Sequence, residues 1–308
     1  MYLFVINPRS GGGAGRRAWL RAEKRLKERA VEYEALHTES ASGAGREVMR
    51  ALKRREKWSA CVVVGGDGTI HSVLAAVLAG GVPLGILPAG SGNDTARGFG
   101  IPLEPEAALD AVLDGAAAPA DLLLAGDSYT LTAVASGFDA QVAGNVNASR
   151  YKRVCNALHA GPLAYLIGVL QTLTSFKPCG ASVALDGREQ RFEDVWLASV
   201  CNLPSYGGGL LIAPQARPDD GRLDVCVVHG CSRMQLLRLM PTVLKGSHVS
   251  LPFVTMLRGT SAAIRFDREQ PAIGDGESLG RSALAVRCEP GALRVLTPRA
   301  AGPGRTGP

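Results

Sequence analysis

Three glycine-rich loops hold the residues with the most evident chemistry. They are Asn7-Pro8-Arg9-Ser10-Gly11-Gly12-Gly13, Gly65-Gly66-Asp67-Gly68-Thr69 and Gly90-Ser91-Gly92-Asn93-Asp94. Each follows a short apolar run of strand character and leads into a helical pattern. Backbone N–H groups at a helix start, with the positive end of the helix dipole, attract anions. Glycine removes the Cβ that would hold such an anion away from the backbone. A single loop of this kind is commonly just a tight turn. Three of them at successive strand ends converge on one crevice of a parallel α/β sheet and suit a polyphosphate. No Gly-Lys-Ser/Thr follows a glycine loop and no GxGxxG is present, so the cradle is neither a P-loop nor a dinucleotide fingerprint.

Two acidic turns stand out further along. Arg217-Pro218-Asp219-Asp220-Gly221-Arg222 reads as an Asp-Gly turn before a strand. Its oxygens are also of the hard type that holds Mg²⁺ or Ca²⁺. Asp275-Gly276-Glu277 reads as an acidic β-turn. Of the five histidines, only His71 lies within a motif.

The elements that must position these loops alternate in the first part. Strand patterns cover Tyr2–Asn7, Val31–Thr38, Ala60–Val64 and Pro83–Leu87. Helical patterns cover Ala14, Ala18, Ala22, Leu26 and Ala30, then 45–55, Thr69–Leu78, a short turn at Asp94–Gly98, and Glu106–Leu113. Such alternation predicts a parallel sheet wrapped by helices. After about residue 120 the pattern changes to short strands. Asp121–Ala125 and Tyr129–Ala135 meet at Gly126-Asp127, and Ala181–Leu185 and Arg191–Ala198 flank Asp186-Gly187. Leu223–His229, Ala262–Phe266, Ala283–Cys288 and Leu293–Leu296 follow. Helical patterns at Val142–Phe176 and Ser232–Leu244 interrupt them. The expected organisation is an α/β domain over 1–120 and an antiparallel β domain carrying helices over 121–298, whose last strand is free to return to the first domain. A disordered tail is expected over 299–308.

Composition narrows the setting. The chain has 308 residues, 38 of them Gly, and a net charge of +6. Its mean hydropathy is +0.09 and its pI about 9.0. Seven cysteines are scattered with no CxxC pair, which predicts small core residues in a reducing compartment. The N-terminus lacks a basic n-region and a cleavage site, and the longest apolar stretch is too short to span a bilayer. A cytoplasmic protein is expected. The positive charge points to an anionic partner, either phosphate or the inner membrane leaflet. Low aromatic content and the lack of any recognition signature argue against nucleic acid. Arg150, Lys152 and Arg153 ahead of the apolar run Leu163–Leu173 suggest peripheral contact with a membrane and lipid handling over 150–176. A homodimer stays open.

The ordered motifs resemble the diacylglycerol kinase catalytic domain in its bacterial stand-alone lipid kinase form. The matching pieces are Asn7 to Gly11, Gly65 to Thr69, Gly90 to Arg97 with Gly100-Ile101-Pro102, Pro214 to Asp224, and Asp275 to Glu277. The resemblance runs to about Pro298. It implies a nucleotide domain akin to NAD kinases and phosphofructokinases, and a β-sandwich-like lipid domain. It implies ATP on Asn7, Pro8, Arg9, Ser10 and Gly11, on Gly65, Gly66, Asp67, Gly68, Thr69, Ile70 and His71, and near Thr38, Ser91, Asn93 and Asp94. It implies Mg²⁺ held by the Asp220 carboxylate and the Arg217 and Arg222 carbonyls. Glu277 becomes the proton acceptor, with Asp275 as an orienting or alternative base. The chain departs from the family at Ile70-His71-Ser72, where an Asn-Glu pair usually stands. The acceptor is expected to be diacylglycerol or a similar lipid alcohol, with sphingoid base, ceramide and phosphatidylglycerol open. An NAD kinase and a catalytically inactive lipid-binding protein are the rival expectations.

Overall fold

The computed structural model describes residues 1–38, 41–55, 57–149, 161–281 and 283–299. The chain divides into two compact units. The first comprises Met1–Pro119 together with the chain from Leu293, and the second comprises Ala120–Ala292.

The first unit is an α/β layer structure. Strands β1 (Tyr2–Ile6), β2 (Tyr33–His37), β3 (Ala60–Gly65) and β4 (Leu84–Pro88) lie in the order β2-β1-β3-β4. All their pairings are parallel. The end of the long strand β15 (Leu284–Thr297) closes the far side, with Val295 opposite Leu84. β3 and β4 are buried along their whole length, as expected of strands covered on both faces. The register sets Ile6 beside Val64 and Gly65 beside Pro88. The loops after these strands therefore start at one level.

Helix α1 spans Ser10–Glu28, but Gly11, Gly12 and Gly13 have φ of 54°, 63° and 93°. Regular helix begins only at Ala14, and Ala30 lies beyond the end at φ 50°. Ala18, Trp19, Ala22 and Leu26 form the buried face. Helices α2 (Ala41–Leu52), α3 (Asp67–Gly80), α4 (Asp94–Gly98) and α5 (Pro105–Asp114) complete the unit. Arg25 grips Asp110 with two donors at 2.8 and 2.7 Å, which ties α1 to α5.

The second unit is antiparallel. Its strands are β5 (Ala116–Ala125), β6 (Ser128–Thr130), β7 (Ala133–Gly137), β8 (Cys179–Leu185), β9 (Arg188–Cys201), β10 (Leu223–His229), β11 (Val254–Gly259), β12 (Ser261–Phe266), β13 (Ala272–Gly274) and β14 (Glu277–Gly280). β9 is the hub: its first half pairs with β8 and its second with β7 and β10. Alternation along β10 makes two cores. Leu223, Val225 and Val227 enter one hydrophobic cluster, and Cys226 and Val228 the other, because successive side chains of a strand point to opposite faces.

The second cluster is covered by α6 (Phe138–Ala148), α7 (Gly161–Ser175) and α8 (Arg233–Val243). Of the helical region expected over Val142–Phe176, the described residues hold α6 and α7, while Arg150, Lys152 and Arg153 lie outside the described residues. The expected strand Tyr129–Ala135 is broken at Leu131-Thr132, whose N–H groups turn to a side chain instead of a ladder. β15 runs unbroken where two strands were expected, passing Pro290-Gly291 with Gly291 at φ 58°. The six cysteines described are free and buried. Burial pushes the Cys61 thiol up to about 12, so these are inert core residues.

Candidate functional site

The three glycine loops meet in the first unit through backbone contacts. Asn7 extends β1: its N–H donates to Val64 O at 3.0 Å. Its side-chain amide donates to Thr69 Oγ1 at 3.0 Å, and its Oδ1 accepts the Arg9 N–H at 3.1 Å. The Ala89 N–H donates to Gly65 O at 2.7 Å. A Cβ on Gly11 would stand 2.5 Å from Ala89 O, and one on Gly66 would stand 2.7 Å from Gly90 Cα. Only glycine permits these approaches. Asn7, Pro8 and Ser10 are half-buried, while Arg9, Gly11, Gly68 and Ser91 are exposed. A Cβ on Gly12 or on Gly68 would meet nothing within 4 Å, so both glycines border open space. Gly66 caps α3 without a side chain, which leaves the helix start available to an anion.

Other expected residues do structural work. The Asp67 carboxylate accepts the N–H groups of Asp94 and Thr95 at 3.3 and 3.0 Å, so it caps α4. Asn93, at φ 55°, folds its side chain onto Gly90, accepting from Gly90 N at 2.7 Å. Thr38 is buried, with its hydroxyl donating to Ile6 O at 3.2 Å. Ile70 packs in the core at 3 % exposure. Ser72 donates to Thr69 O at 2.8 Å, within its own helix. His71 is half-buried. The surface left for a polyphosphate is therefore mostly backbone.

In the second unit, β13 and β14 form a hairpin with Asp275 and Gly276 at its tip, at φ 48° and 86°. Two left-handed residues are what a type I′ turn requires. The Asp275 carboxylate accepts the N–H groups of Leu131 and Thr132, each at 2.8 Å. This clasp interrupts the strand between β6 and β7. Of the two roles expected for Asp275, orienting or alternative base, the clasp is consistent with the orienting one. Glu277 is exposed, and no hydrogen bond or ion pair engages it among the described residues. It is the free carboxylate of the pair.

The Asp220 turn differs from its expected form. One Asp220 oxygen accepts the Arg222 N–H at 3.0 Å, and the other pairs with the Arg258 guanidinium. Arg258 Nε also lies 3.8 Å from Asp224 Oδ2. Asp224 is buried, and burial raises its carboxyl pKa while Arg258 works against that. Among the described residues, no group of three or more His, Cys, Asp or Glu side chains converges. The cation beside Asp220 is thus a guanidinium. Of the expected set Asp220, Arg217 and Arg222, the one carboxylate is paired with Arg258 in this structure.

Removing EDTA-accessible metal is therefore expected to leave the melting temperature of the protein unchanged. Arg258→Ala is expected to lower stability by roughly 1–2 kcal/mol, since it strips a half-exposed pairing from two carboxylates. Added Mg²⁺ then restores part of the loss. A wild-type melting temperature that drops with EDTA would place an ion at the turn after all.

Two buried residues escaped the sequence reading. Asp121, 3 % exposed, accepts the N–H groups of Gly221 and Gly291 at 2.7 and 2.8 Å, and its own N–H donates to Pro218 O at 2.6 Å. It therefore holds the Asp220 turn in place. Asn202, fully buried, donates to Asp121 O at 2.9 Å and Leu131 O at 2.8 Å. Their only sequence signal was a polar residue at the edge of an apolar run.

A further polar group lies beside the apolar cluster. Tyr206 donates to Asp139 Oδ2 at 2.5 Å and sits 2.7 Å from Ser199 Oγ. Burial pushes the Asp139 carboxyl up to about 6, against the effect of Tyr206.

The chain is similar to known proteins over both units. Residues 1–125 match the diacylglycerol kinase catalytic domain. Residues 132–297 match the YegS C-terminal NAD kinase beta sandwich-like domain. A diacylglycerol kinase of Mycobacterium tuberculosis is 37 % identical over 304 residues, covering 96 % of this chain and 94 % of its own. A YegS-like probable lipid kinase of Pseudomonas aeruginosa is 34 % identical, covering 77 % of this chain and 76 % of its own. The crystal structure of a Bacillus anthracis diacylglycerol kinase shares the fold, with a TM-score of 0.70 at 18 % identity over 96 % of each chain. The two family models follow one another along one polypeptide, and the Mycobacterium tuberculosis relative spans nearly all of it: the chain belongs to the diacylglycerol kinase family of lipid kinases.

Proposed function

We propose that this chain transfers the γ-phosphoryl group of ATP, taken as its Mg²⁺ complex, to the hydroxyl of diacylglycerol or a similar lipid alcohol at the inner leaflet. The observation that carries the reading is the unpaired Glu277 on a hairpin whose partner carboxylate, Asp275, is fully used in holding it. Phosphoryl transfer to an alcohol needs alignment, charge neutralisation and a proton acceptor more than covalent catalysis. Glu277 takes the hydroxyl proton as the oxygen attacks the γ-phosphorus. The bond from that phosphorus to the bridging oxygen breaks, and ADP leaves. Backbone N–H groups of the glycine loops hold the phosphates, and Mg²⁺ bound to the nucleotide offsets their charge.

The test is transfer of labelled phosphate from ATP in the presence of Mg²⁺ to diacylglycerol, sphingosine, ceramide, phosphatidylglycerol and NAD in parallel. A labelled lipid is the expected product, with diacylglycerol preferred. Labelled NAD would replace this reading by an NAD kinase. Binding of lipid with no transfer to any acceptor would make the protein a lipid-binding relative without activity.

A further inference from the structure

Acidic residues are unevenly placed in the second unit. Residues 140–185, 195–218 and 225–266 contain no Asp or Glu, yet they contain ten Lys and Arg. Outside these stretches the chain has more acidic than basic residues. Solvent-facing surfaces usually intersperse both signs. The three stretches also build one structure. The hydrophobic cluster under α6, α7 and α8 draws on them for every buried member except Ala133 and Phe138.

The outer side of that cluster is apolar and basic. Leu236, Leu239 and Val243 form the buried stripe of α8. Met234, Arg238 and Pro241 lie at i, i+4 and i+7 and are exposed, as is Lys245 one turn on. Met234 is 59 % exposed, Leu244 60 % and Leu170 of α7 47 %. Arg233 donates to Leu173 O at 2.9 Å and Phe176 O at 3.2 Å, which joins the end of α7 to the start of α8. The end of α7 and the start of α8 are therefore neighbours, and Lys177 adds a further exposed cation beside them. No helix among the described residues is long and apolar enough to cross a membrane.

We infer that this surface, α8 with the second half of α7, is where the chain rests on an anionic bilayer. Exposed Leu and Met enter the boundary between headgroups and acyl chains, while Lys and Arg meet the anionic headgroups. The exposed face of α8 bears no aromatic residue, so it lacks the stacking platform of a nucleic-acid site. The choice of lipid as partner rests on the lipid-kinase reading, but binding is measured apart from catalysis.

The experiment is co-sedimentation with phosphatidylcholine vesicles, with and without phosphatidylglycerol. The wild type should bind only the anionic vesicles, and salt should weaken that binding. Arg238→Gln with Lys245→Gln should weaken it by about fivefold per residue, as expected for basic residues at such a surface. Met234→Ser with Leu244→Ser should weaken it at high salt as well. Both double variants should melt like the wild type and transfer phosphate to detergent-dispersed short-chain diacylglycerol at the wild-type rate. Equal binding to both vesicles, unchanged binding by both variants, or tighter binding to duplex RNA than to anionic vesicles would overturn the assignment. So would a matching loss of melting temperature or of transfer to the dispersed substrate, which would make these residues structural. If no lipid is phosphorylated even by the wild type, the proposed reaction fails while vesicle binding still decides the surface.

Discussion

Glu277→Gln should lower kcat by roughly 10²- to 10⁴-fold, the usual contribution of a positioned general base. ATP affinity and melting temperature should stay at wild-type values. The substitution keeps size and shape and removes only the ability to take a proton. It breaks no contact, because Glu277 is exposed and engages no partner among the described residues. Asp275→Asn provides the contrast. Its carboxylate accepts two backbone N–H groups, so the amide loses one acceptor and leaves a donor facing a donor. That variant should lose stability as well as turnover. Steady-state kinetics, nucleotide titration and thermal melts on the two proteins separate the roles. A Glu277→Gln enzyme with near wild-type kcat would remove Glu277 as the base.

Gly66→Val should weaken ATP binding at least about tenfold and lower the melting temperature. Gly66 has φ −104°, a conformation open to any residue, so the objection to a side chain is purely one of space. A Cβ there would lie 2.7 Å from Gly90 Cα, and a Cβ on Gly90 would lie 2.5 Å from Gly66 Cα. Carbon atoms pack at about 3.5–4.0 Å, and neither backbone can yield without separating the loops. Gly68→Ala tests the same cradle from the other side. Its Cβ would meet nothing within 4 Å, so folding should be untouched and any loss of affinity reports the ligand itself. Calorimetric titration with ATP measures both. Unchanged affinity in Gly66→Val would take that loop out of the nucleotide site.

Much of the cradle was legible because glycine spacing and strand order follow local rules. β3 and β4 appear as apolar runs, and the loops after them as glycine clusters, so their meeting follows from parallel topology. The second unit was harder to see. β13 and β14 have three and four residues, too short for alternation to register. β6 and β7 looked like one strand, since nothing in Leu131-Thr132 reveals that Asp275, far along the chain, claims both N–H groups. The Asp220 turn shows the same limit: its aspartate was visible, but its cation comes from Arg258 on a separate strand. Asp121 and Asn202 act on backbone groups distant in sequence, and local patterns carry no trace of such partners.

β15 begins in the second unit and ends beside β4 in the first, where Val295 pairs with Leu84. A ribosome emits this chain from its N-terminus, so β1 to β4 are complete long before their last neighbour exists. During that interval β4 offers an open edge, and an open edge invites pairing with other chains. The first unit cannot finish folding until the whole second unit has been made, and the nascent protein depends on holding that edge uncommitted for most of its synthesis.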